Sequence, residues 1–287
     1  MLFEARAKVN LTLEVIGRRE DGYHILDTVF QPLSVTDRIW ADKLPSGLLF
    51  SCTDKTLETE DNLVCRAFRL MKEQFAFEGG LQIRLEKRIP SQAGLGGGSS
   101  DAAAILLACN RLFALGLSRE TLAGLGARLG ADVPALLYNG ATRGSGSGAS
   151  VRPIKTSLKL PLLLIKPPLG LSTPAMYRRL DEIGPQGQRE VSLSQAAQAA
   201  LEADDAAALK QTLYNAFDAV ADEAEIISAR QMLLQAGAEK VVLSGSGSAS
   251  FGVFADAESR DKAFLTLAGT LPEGWWIQAA DTVNEES

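Results

Sequence analysis

The sequence has little of what builds metal sites and disulfide frameworks. Its 287 residues include one histidine and three widely separated cysteines, Cys52, Cys65 and Cys109, with no Cys-x-x-Cys pair. A single histidine cannot form a histidine-rich zinc site, and isolated cysteines of this kind are typical of reduced core thiols. The composition therefore disfavours a transition metal held by the protein.

Long hydrophobic runs and an excess of basic residues are missing as well. No apolar stretch approaches the ~20 residues that a helix needs to cross a bilayer, and the N-terminus enters an alternating pattern that does not resemble a signal peptide. The formal net charge is -6, whereas nucleic-acid phosphates favour dense lysine and arginine patches. We therefore expect a cytoplasmic protein without a nucleic-acid or membrane partner.

The remaining composition is that of a globular protein. Hydrophobic residues make up 46% and charged residues 22%, which supports a substantial core in one large domain or in two modest domains sharing a cleft.

The N-terminal segment alternates between polar and apolar residues. Positions 4–15 follow a period of two, which predicts a strand with one buried face and places Lys8 and Asn10 together on the other face. Asp21-Gly22 is a turn signal, and Tyr23-His24 opens a returning strand that runs toward Phe30.

Further periodic segments predict a mixed α and β chain. Strands are predicted near 38–43, 48–53, 81–86, 160–166, 241–244, 249–254 and 276–283. Helices are predicted from Asp61-Asn62, after Ser100, over about 118–138, from Ser172-Thr173-Pro174, within 192–236 and near 257–268. The glycine- and serine-rich stretch 140–150 is interpreted as a loop near a domain junction.

A glycine-rich loop between a strand and a helix is the strongest local signal. Backbone N–H groups and a helix N-terminus converge there, which favours an anion, and successive glycines let phosphate oxygens approach the backbone. Ser99 and Ser100 add hydroxyl donors, or ligands for a phosphate-bound Mg²⁺. A Walker A loop would need a lysine before Ser99, and a dinucleotide fingerprint would need a further glycine, so neither motif fits.

The other polar residues carry little information one at a time. Lys8 taken alone is typical of a solvated lysine on an edge strand, and Asp132 taken alone is typical of a helix start. His24 taken alone is typical of a surface or hydrogen-bonded histidine, and Tyr23 and Tyr177 of packing residues. Composition and spacing therefore lead only to a nucleotide-phosphate-binding α/β protein.

The motifs taken together resemble a known family. Pro90–Ser100 followed by Asp101-Ala102-Ala103 is similar to the ATP loop of the GHMP kinases, which include galactokinase, homoserine kinase and mevalonate kinase. The chain most resembles those members that phosphorylate a cytidine-diphosphate-linked methylerythritol in the non-mevalonate route to isoprenoid precursors. The segments that carry this resemblance, in family order, are Ala7-Lys8-Val9-Asn10-Leu11, Asp21-Gly22-Tyr23-His24, Glu60-Asp61-Asn62-Leu63, Gly94–Asp101, Gly130-Ala131-Asp132-Val133-Pro134, Ser172-Thr173-Pro174 and Leu243-Ser244-Gly245-Ser246-Gly247-Ser248.

The resemblance implies a fold and a division of the chain. The expected architecture is the α+β two-domain GHMP kinase fold, with an N-terminal S5-like α/β domain and a C-terminal ferredoxin-like domain. The expected ranges are 1–157 for the ATP-binding domain and 158–287 for the second domain, with the active site in the cleft between them. A monomer or weak homodimer is expected.

The resemblance also implies roles for individual residues. Asp132 is expected to be the general base on the acceptor hydroxyl, and Lys8 to neutralise charge on the transferred phosphoryl group. ATP with Mg²⁺ is expected on the glycine-rich loop, with Asn62 near adenosine. The loop residues so assigned are Pro90, Ser91, Gln92, Ala93, Gly94, Leu95, Gly96, Gly97, Gly98, Ser99 and Ser100.

Acceptor recognition is expected to involve a cytosine pocket. By the resemblance, Tyr23 and Tyr177 stack on the base, His24 contacts its edge, Asn10 contacts the substrate or orients Asp132, and Thr173 caps its helix at the substrate diphosphate. Two alternatives stay open at this point: a GHMP kinase with another acceptor, such as homoserine or a mevalonate derivative, and a GHMP-fold protein that binds nucleotide without catalysis. Because Lys8 and Asp132, the expected catalytic pair, are both present, the sequence argues against a protein that binds nucleotide without catalysis.

Overall fold

The structure is a computed structural model that describes residues 1–20, 22, 24–146, 150–184 and 191–284. The strands are β1 (Leu2–Arg18), β2 (His24–Leu44), β3 (Leu48–Cys52), β4 (Gly80–Glu86), β5 (Thr142–Gly146), β6 (Ser150–Pro153), β7 (Pro161–Lys166), β8 (Tyr214–Asn215), β9 (Lys240–Leu243), β10 (Ser250–Val253) and β11 (Trp276–Asp281). The α-helices are α1 (Leu63–Phe75), α2 (Gly97–Leu112), α3 (Arg119–Gly126), α4 (Thr173–Ile183), α5 (Leu193–Glu202), α6 (Ala206–Thr212), α7 (Ala224–Gln235) and α8 (Ala257–Ala268).

The chain forms two compact units that are interleaved along the sequence. The first unit contains residues 1–7, 35–90 and 96–138, and the second contains residues 8–34, 91–95 and 139–287. The sequence-based division at residues 157 and 158 cuts the chain only once, and that division stays a prediction.

The first unit joins a small sheet to helices. The second half of β2 runs antiparallel to β4, and β3 runs parallel to β4. In β4, Leu81, Ile83 and Leu85 are buried while Arg84 is exposed, as the alternating pattern predicts. Helix α1, capped by Asn62, packs against α2. Its buried residues recur at helical spacing, so one apolar stripe faces the core.

The second unit contains two groups of strands. In the first, β5 pairs with the first half of β2 and with β6, and β1 pairs in parallel with β8. The second is an antiparallel sheet in the order β11-β7-β10-β9. Residues 162–165 of β7 are all buried, so this strand is apolar on both faces, and helices α7 and α8 supply the packing on it through side chains such as Leu233 and Ala263.

Most predicted elements are confirmed, and four predictions are wrong in part. The strands predicted at 24–30 and 38–43 are one 21-residue strand, β2. The region 118–138 is helical only in α3, because Gly130 and Pro134 bracket a turn before a short 3₁₀ helix at Ala135–Leu137. The stretch 140–150 contributes β5 and the start of β6, because pairing with β2 outweighs its glycine content. Helix α2 already begins at Gly97. Of the 140–150 stretch, residues 147–149 lie outside the described residues.

Within the described residues, every helix is too short or too polar to span a bilayer.

Candidate functional site

The entry of the glycine-rich loop is bound to the turn between β9 and β10 in the second unit. The Ser244 hydroxyl donates to the Gly94 carbonyl at 3.0 Å, and the Ala249 N–H donates to the Ala93 carbonyl at 3.0 Å. Gly94 has φ +73°, and a Cβ there would lie 1.9 Å from the Ser244 carbonyl oxygen. The two glycine- and serine-rich segments therefore touch through their backbones, and only glycine fits at position 94.

The exit of the loop forms the start of α2 in the first unit. Gly96 occupies the N-cap position in the left-handed region, φ +71°, and no side chain caps the helix. The first-turn N–H groups of such a helix favour an anion. A Cβ on Gly98 would make an ordinary van der Waals contact with Leu63 Cδ1 at 3.6 Å and meet nothing closer. This geometry suits a phosphate group.

Asp132 lies in a turn beside the start of α2. The Val133 N–H donates to the Gly130 carbonyl at 3.2 Å, which closes the turn. A Cβ on Gly130 would lie 3.7 Å from the Ser99 hydroxyl oxygen. Asp132 is half-buried. Within the first unit, the predicted base therefore belongs to a turn that adjoins the N-terminal end of α2.

Lys8 and Asn10 form a buried polar pair on β1 in the second unit. The Lys8 ammonium donates to Asn10 Oδ1 at 2.7 Å, and Asn10 Nδ2 donates to the Thr28 hydroxyl at 2.8 Å. Lys8 is 2% exposed, so the solvated-lysine interpretation is wrong. The Lys8 N–H donates to the Leu95 carbonyl at 2.9 Å, and a Cβ on Gly245 would lie 3.3 Å from the Lys8 ammonium. The predicted catalytic lysine thus lies beside both glycine-rich segments.

A histidine, a tyrosine and an aspartate form a second cluster in the same unit. The rings of His24 and Tyr177 stack with centroids 4.3 Å apart and an interplanar angle of 12°. His24 Nε2 lies 2.7 Å from Asp181 Oδ1, and this hydrogen bond lowers the pKa of Asp181. Tyr23, predicted to belong here, lies outside the described residues.

Asp181 is not among the site residues predicted from the sequence. Tyr177 and Asp181 are four residues apart in α4, a spacing that places both side chains on one helix face. That spacing could have predicted that Asp181 lies near Tyr177. Its contact with His24 could not be predicted, because it depends on the fold bringing β2 and α4 together.

Thr173 and Asn62 have partners within the protein. Thr173 is the first residue of α4, not its cap: Ser172 holds the N-cap position and forms no side-chain cap bond. The Thr173 and Ser246 hydroxyl oxygens are 2.7 Å apart, which links α4 to the β9–β10 turn. Asn62 caps α1 by accepting from the Val64 N–H at 3.0 Å, and its amide donates to the Leu57 carbonyl at 2.9 Å. A role for Asn62 at adenosine stays a prediction.

The predicted site residues divide between the two units. The first unit holds Asp132, Asn62, Pro90 and residues 96–100, and the second holds Lys8, Asn10, His24, Thr173, Tyr177 and residues 91–95. The pairing of Lys8 with Asp132 stays a prediction. In the described part of the chain, no group of three or more His, Cys, Asp or Glu side chains is arranged to hold a metal ion.

Known proteins resemble this chain in sequence over most of its length. Residues 62–140 match the family described as GHMP kinases N terminal domain. The chain is 39% identical to the 4-diphosphocytidyl-2-C-methyl-D-erythritol kinase of Moorella thermoacetica, over 94% of this chain and 95% of that protein. It is 37% identical to the kinase of the same name from Symbiobacterium thermophilum, over 97% of this chain and 99% of the relative.

Solved structures share the fold. A crystal structure of 4-(cytidine 5'-diphospho)-2C-methyl-D-erythritol kinase matches with a TM-score of 0.82 and 34% identity, over 99% of this chain and 100% of the other. The mevalonate kinase of L. major matches with a TM-score of 0.75 at 20% identity, over 100% of this chain and 97% of the other, which supports the GHMP kinase fold alone. Given its identity to curated relatives over nearly its whole length, the chain belongs to the 4-diphosphocytidyl-2-C-methyl-D-erythritol kinase family of the GHMP kinases.

Proposed function

We propose that this chain transfers the γ-phosphoryl group of ATP to the 2-hydroxyl of 4-diphosphocytidyl-2-C-methyl-D-erythritol, a step of the non-mevalonate pathway to isoprenoid precursors. One observation carries the proposal: 39% identity with a kinase of this name over 94% of the chain. The geometry is compatible with it, because an uncapped helix start follows a glycine-rich loop and a buried lysine adjoins the same loop.

ATP, the co-substrate of a GHMP kinase, would place its phosphates on the glycine-rich loop. The N-terminus of α2 and the loop amides would hold the charge, since phosphoryl transfer mainly requires in-line placement and charge stabilisation. Mg²⁺ fits the available donors, because the Ser99 and Ser100 hydroxyls and the phosphate oxygens are hard ligands. When bound, this ion would neutralise charge on the transferred group.

Lys8 and Asp132 would act on the reacting atoms. Asp132 would accept the proton of the acceptor hydroxyl. The Lys8 ammonium, held by Asn10 at 2.7 Å, would stabilise the negative charge that develops there. Burial of Lys8 strengthens this electrostatic effect, because less water screens the charge.

His24 would contact the edge of the cytosine ring. If His24 donates its Nε2–H to Asp181, its Nδ1 carries a lone pair that can accept from the exocyclic amino group of cytosine. His24 covers one face of Tyr177, and Phe217 packs edge-on against the same ring with centroids 4.9 Å apart. Cytosine would contact Tyr177 on the surface that these two rings leave. Thr173 would approach the substrate diphosphate at the start of α4, and Tyr23 would stack on the base.

The finer architecture belongs to the same proposal. The family relationship supports an S5-like N-terminal domain and a ferredoxin-like C-terminal domain. A cytoplasmic location and a monomer or weak homodimer are proposed with it.

A substrate panel tests the function directly. Purified protein with Mg-ATP should release ADP when the cytidyl substrate is added, and this can be followed in a coupled ADP assay. Mevalonate and homoserine, the acceptors of the alternative GHMP kinases, should give no more than the background rate. Equal turnover with either of them would reject the proposed acceptor.

Gly98→Ala separates phosphate binding from folding. The new Cβ meets only Leu63 Cδ1 at 3.6 Å, and alanine favours a helix over glycine by about 1 kcal/mol. We therefore expect unchanged or higher stability. If phosphate oxygens approach this backbone, the methyl group should raise the KM for ATP by about tenfold, equivalent to ~1.4 kcal/mol. The measurements are thermal unfolding and steady-state kinetics.

Gly124→Ala in α3 is the matched control for Gly98→Ala. It is another exposed helical glycine, and nothing lies within 4 Å of its Cβ position. It should gain similar stability and keep the KM for ATP. A wild-type KM for ATP in the Gly98→Ala protein would show that the phosphates do not approach the start of α2.

Asp181→Asn tests the cytosine contact. Asparagine can no longer hold the imidazole through a carboxylate, so the preferred orientation and tautomer of His24 are lost. We expect the KM for the cytidyl substrate to rise by about tenfold. A hydrogen bond to a charged group usually contributes ~1.5–3 kcal/mol, and solvent exposure of Asp181 reduces that contribution. The KM for ATP should stay within twofold. His24→Ala should show the same selectivity with a larger effect, and an equal rise in both KM values would contradict the assignment.

A further inference from the structure

A buried ion network lies at the base of the glycine-rich loop in the first unit. The Lys87 ammonium donates to Asp37 Oδ2 and, at 2.8 Å, to Asp101 Oδ2. The side chains of Lys87, Asp37 and Asp101 are 9%, 0% and 3% exposed. Withdrawing three charges from water is costly, so replacing such a network with apolar side chains is often neutral or stabilising. A purely structural role explains it poorly.

The network holds the chain that enters the loop. Asp37 Oδ1 accepts from the N–H groups of Arg88 at 2.5 Å and of Ile89 at 2.8 Å. These two residues directly precede Pro90, where the loop begins. One carboxylate of β2 therefore orients the backbone at the loop entry while its second oxygen binds Lys87.

The network also holds the chain that leaves the loop. Asp101 lies in the second turn of α2, and its bond to Lys87 ties that helix to the segment after β4. A Cβ on Gly97 would lie 3.2 Å from the Lys87 ammonium and 3.0 Å from Ile89 Cγ2. The first residue of α2 is therefore packed directly on the network, and any shift of Lys87 would be transmitted to the helix start.

Within the described residues, the buried carboxyl group of Asp101 has an unsatisfied oxygen and a raised pKa. Its Oδ1 is buried without a hydrogen-bond partner in the described part of the chain. Burial raises the pKa of Asp101, and the negative charge of Asp37 raises it further. Lys87 lowers this pKa, but the two raising effects are larger, so the pKa is about 7. Carboxyl groups perturbed by burial and charge are concentrated at functional sites.

We propose that Asp37, Lys87 and Asp101 are positioning residues that hold both ends of the glycine-rich loop in its phosphate-binding conformation. The network sets the affinity for ATP and leaves recognition of the acceptor unchanged. The inference rests on the proposed function only in that ATP binds this loop. It does not depend on the identity of the acceptor.

Lys87→Met and Asp101→Asn test the network. Methionine keeps much of the apolar stem and removes the ammonium, so the loop ends lose their link. We expect the Kd for Mg-ATP, measured by calorimetry without acceptor, to rise about 10–100-fold, by analogy with the removal of residues that orient the ligands of a metal site. The isosteric Asp101→Asn should lie toward the lower end of that range. In the coupled assay, the KM for the cytidyl substrate should change less than twofold.

Arg260→Met is the matched control. Arg260 is 8% exposed and also binds two carboxylates, Asp261 at 2.5 Å and Asp281 at 3.1 Å, but it lies in α8 of the second unit. It should lower stability without changing the Kd for ATP. The proposal is overturned if Lys87→Met and Asp101→Asn, each folded by circular dichroism, bind ATP as wild type does.

The proposed function and the proposed role of the ion network can be refuted independently of each other. If the wild type binds Mg-ATP but does not phosphorylate the cytidyl substrate, the proposed acceptor is wrong while the calorimetric comparison still tests the network. If Lys87→Met does not fold, Asp101→Asn, which retains the shape of the side chain and an oxygen for Lys87, provides the comparison.

Discussion

Asp132→Asn should lower kcat by about 10²–10⁴ while the protein keeps its affinity for both ligands. Asparagine has the shape of aspartate but cannot accept the proton of the acceptor hydroxyl at neutral pH. The turn that carries Asp132 is closed by backbone hydrogen bonds, including that of the Val133 N–H to the Gly130 carbonyl, so the substitution should leave its conformation intact.

The measurement for Asp132→Asn combines kinetics with binding. Steady-state kcat should fall, while the Kd values for Mg-ATP and for the cytidyl substrate, each from calorimetry, should stay within about threefold, or ~0.7 kcal/mol. Asp132→Glu is the informative companion, because it keeps the carboxylate and displaces it by one methylene. It should retain an intermediate rate, since proton transfer depends on exact placement.

A kcat within fivefold of wild type for Asp132→Asn would remove this residue from the role of general base. In that case Lys8 and the phosphate site would have to supply the rate enhancement by placement and charge stabilisation alone. Asp42→Asn, at an exposed carboxylate bonded to the N-terminal amine, is the surface control and should show wild-type kinetics.

Gly94→Ala should strongly destabilise the second unit, including the entry of the glycine-rich loop. The added Cβ would lie 1.9 Å from the Ser244 carbonyl oxygen and 2.8 Å from its carbon, and both are backbone atoms that no rotamer change can move. We expect the free energy of unfolding to fall by about 2–5 kcal/mol. The left-handed conformation of alanine contributes ~1–2 kcal/mol of this loss, and overpacking contributes ~1–3 kcal/mol. The KM for ATP should rise in the surviving folded fraction.

Gly237→Ala isolates the contribution of the backbone angle. Gly237 also has a positive φ, +98°, in the second unit, but nothing lies within 4 Å of its Cβ position. Its loss of stability should be limited to about 1–2 kcal/mol. Urea unfolding of both variants gives the difference, which measures the contact between residue 94 and the β9–β10 turn. Equal stability of the two variants would refute that contact.

The local pattern alone determined several parts of the molecule. Alternation over 4–15 predicted β1, and a two-residue spacing placed Lys8 and Asn10 on one side of it, where the structure joins them at 2.7 Å. The expected single buried face is wrong, because the polar positions 8, 10, 12 and 14 are buried as well. Asn62 predicted the start of α1, and strand, glycine-rich loop and helix were predicted in the correct order around α2. These features depend on periodicity and capping, which act over a few residues and can be recognised without knowing the fold.

Long-range contacts decided the rest. Residues 142–146 are rich in glycine and serine, yet they form β5 because β2 offers backbone partners. Lys8 is buried beside Leu95 and Gly245, which lie far from it in the sequence. Asp181 meets His24 because α4 brings a residue 157 positions away to its side. Lys87, an ordinary lysine in the sequence, lies between two buried carboxylates. Burial and ion pairing depend on which distant segments meet, so only the tertiary structure could assign those roles.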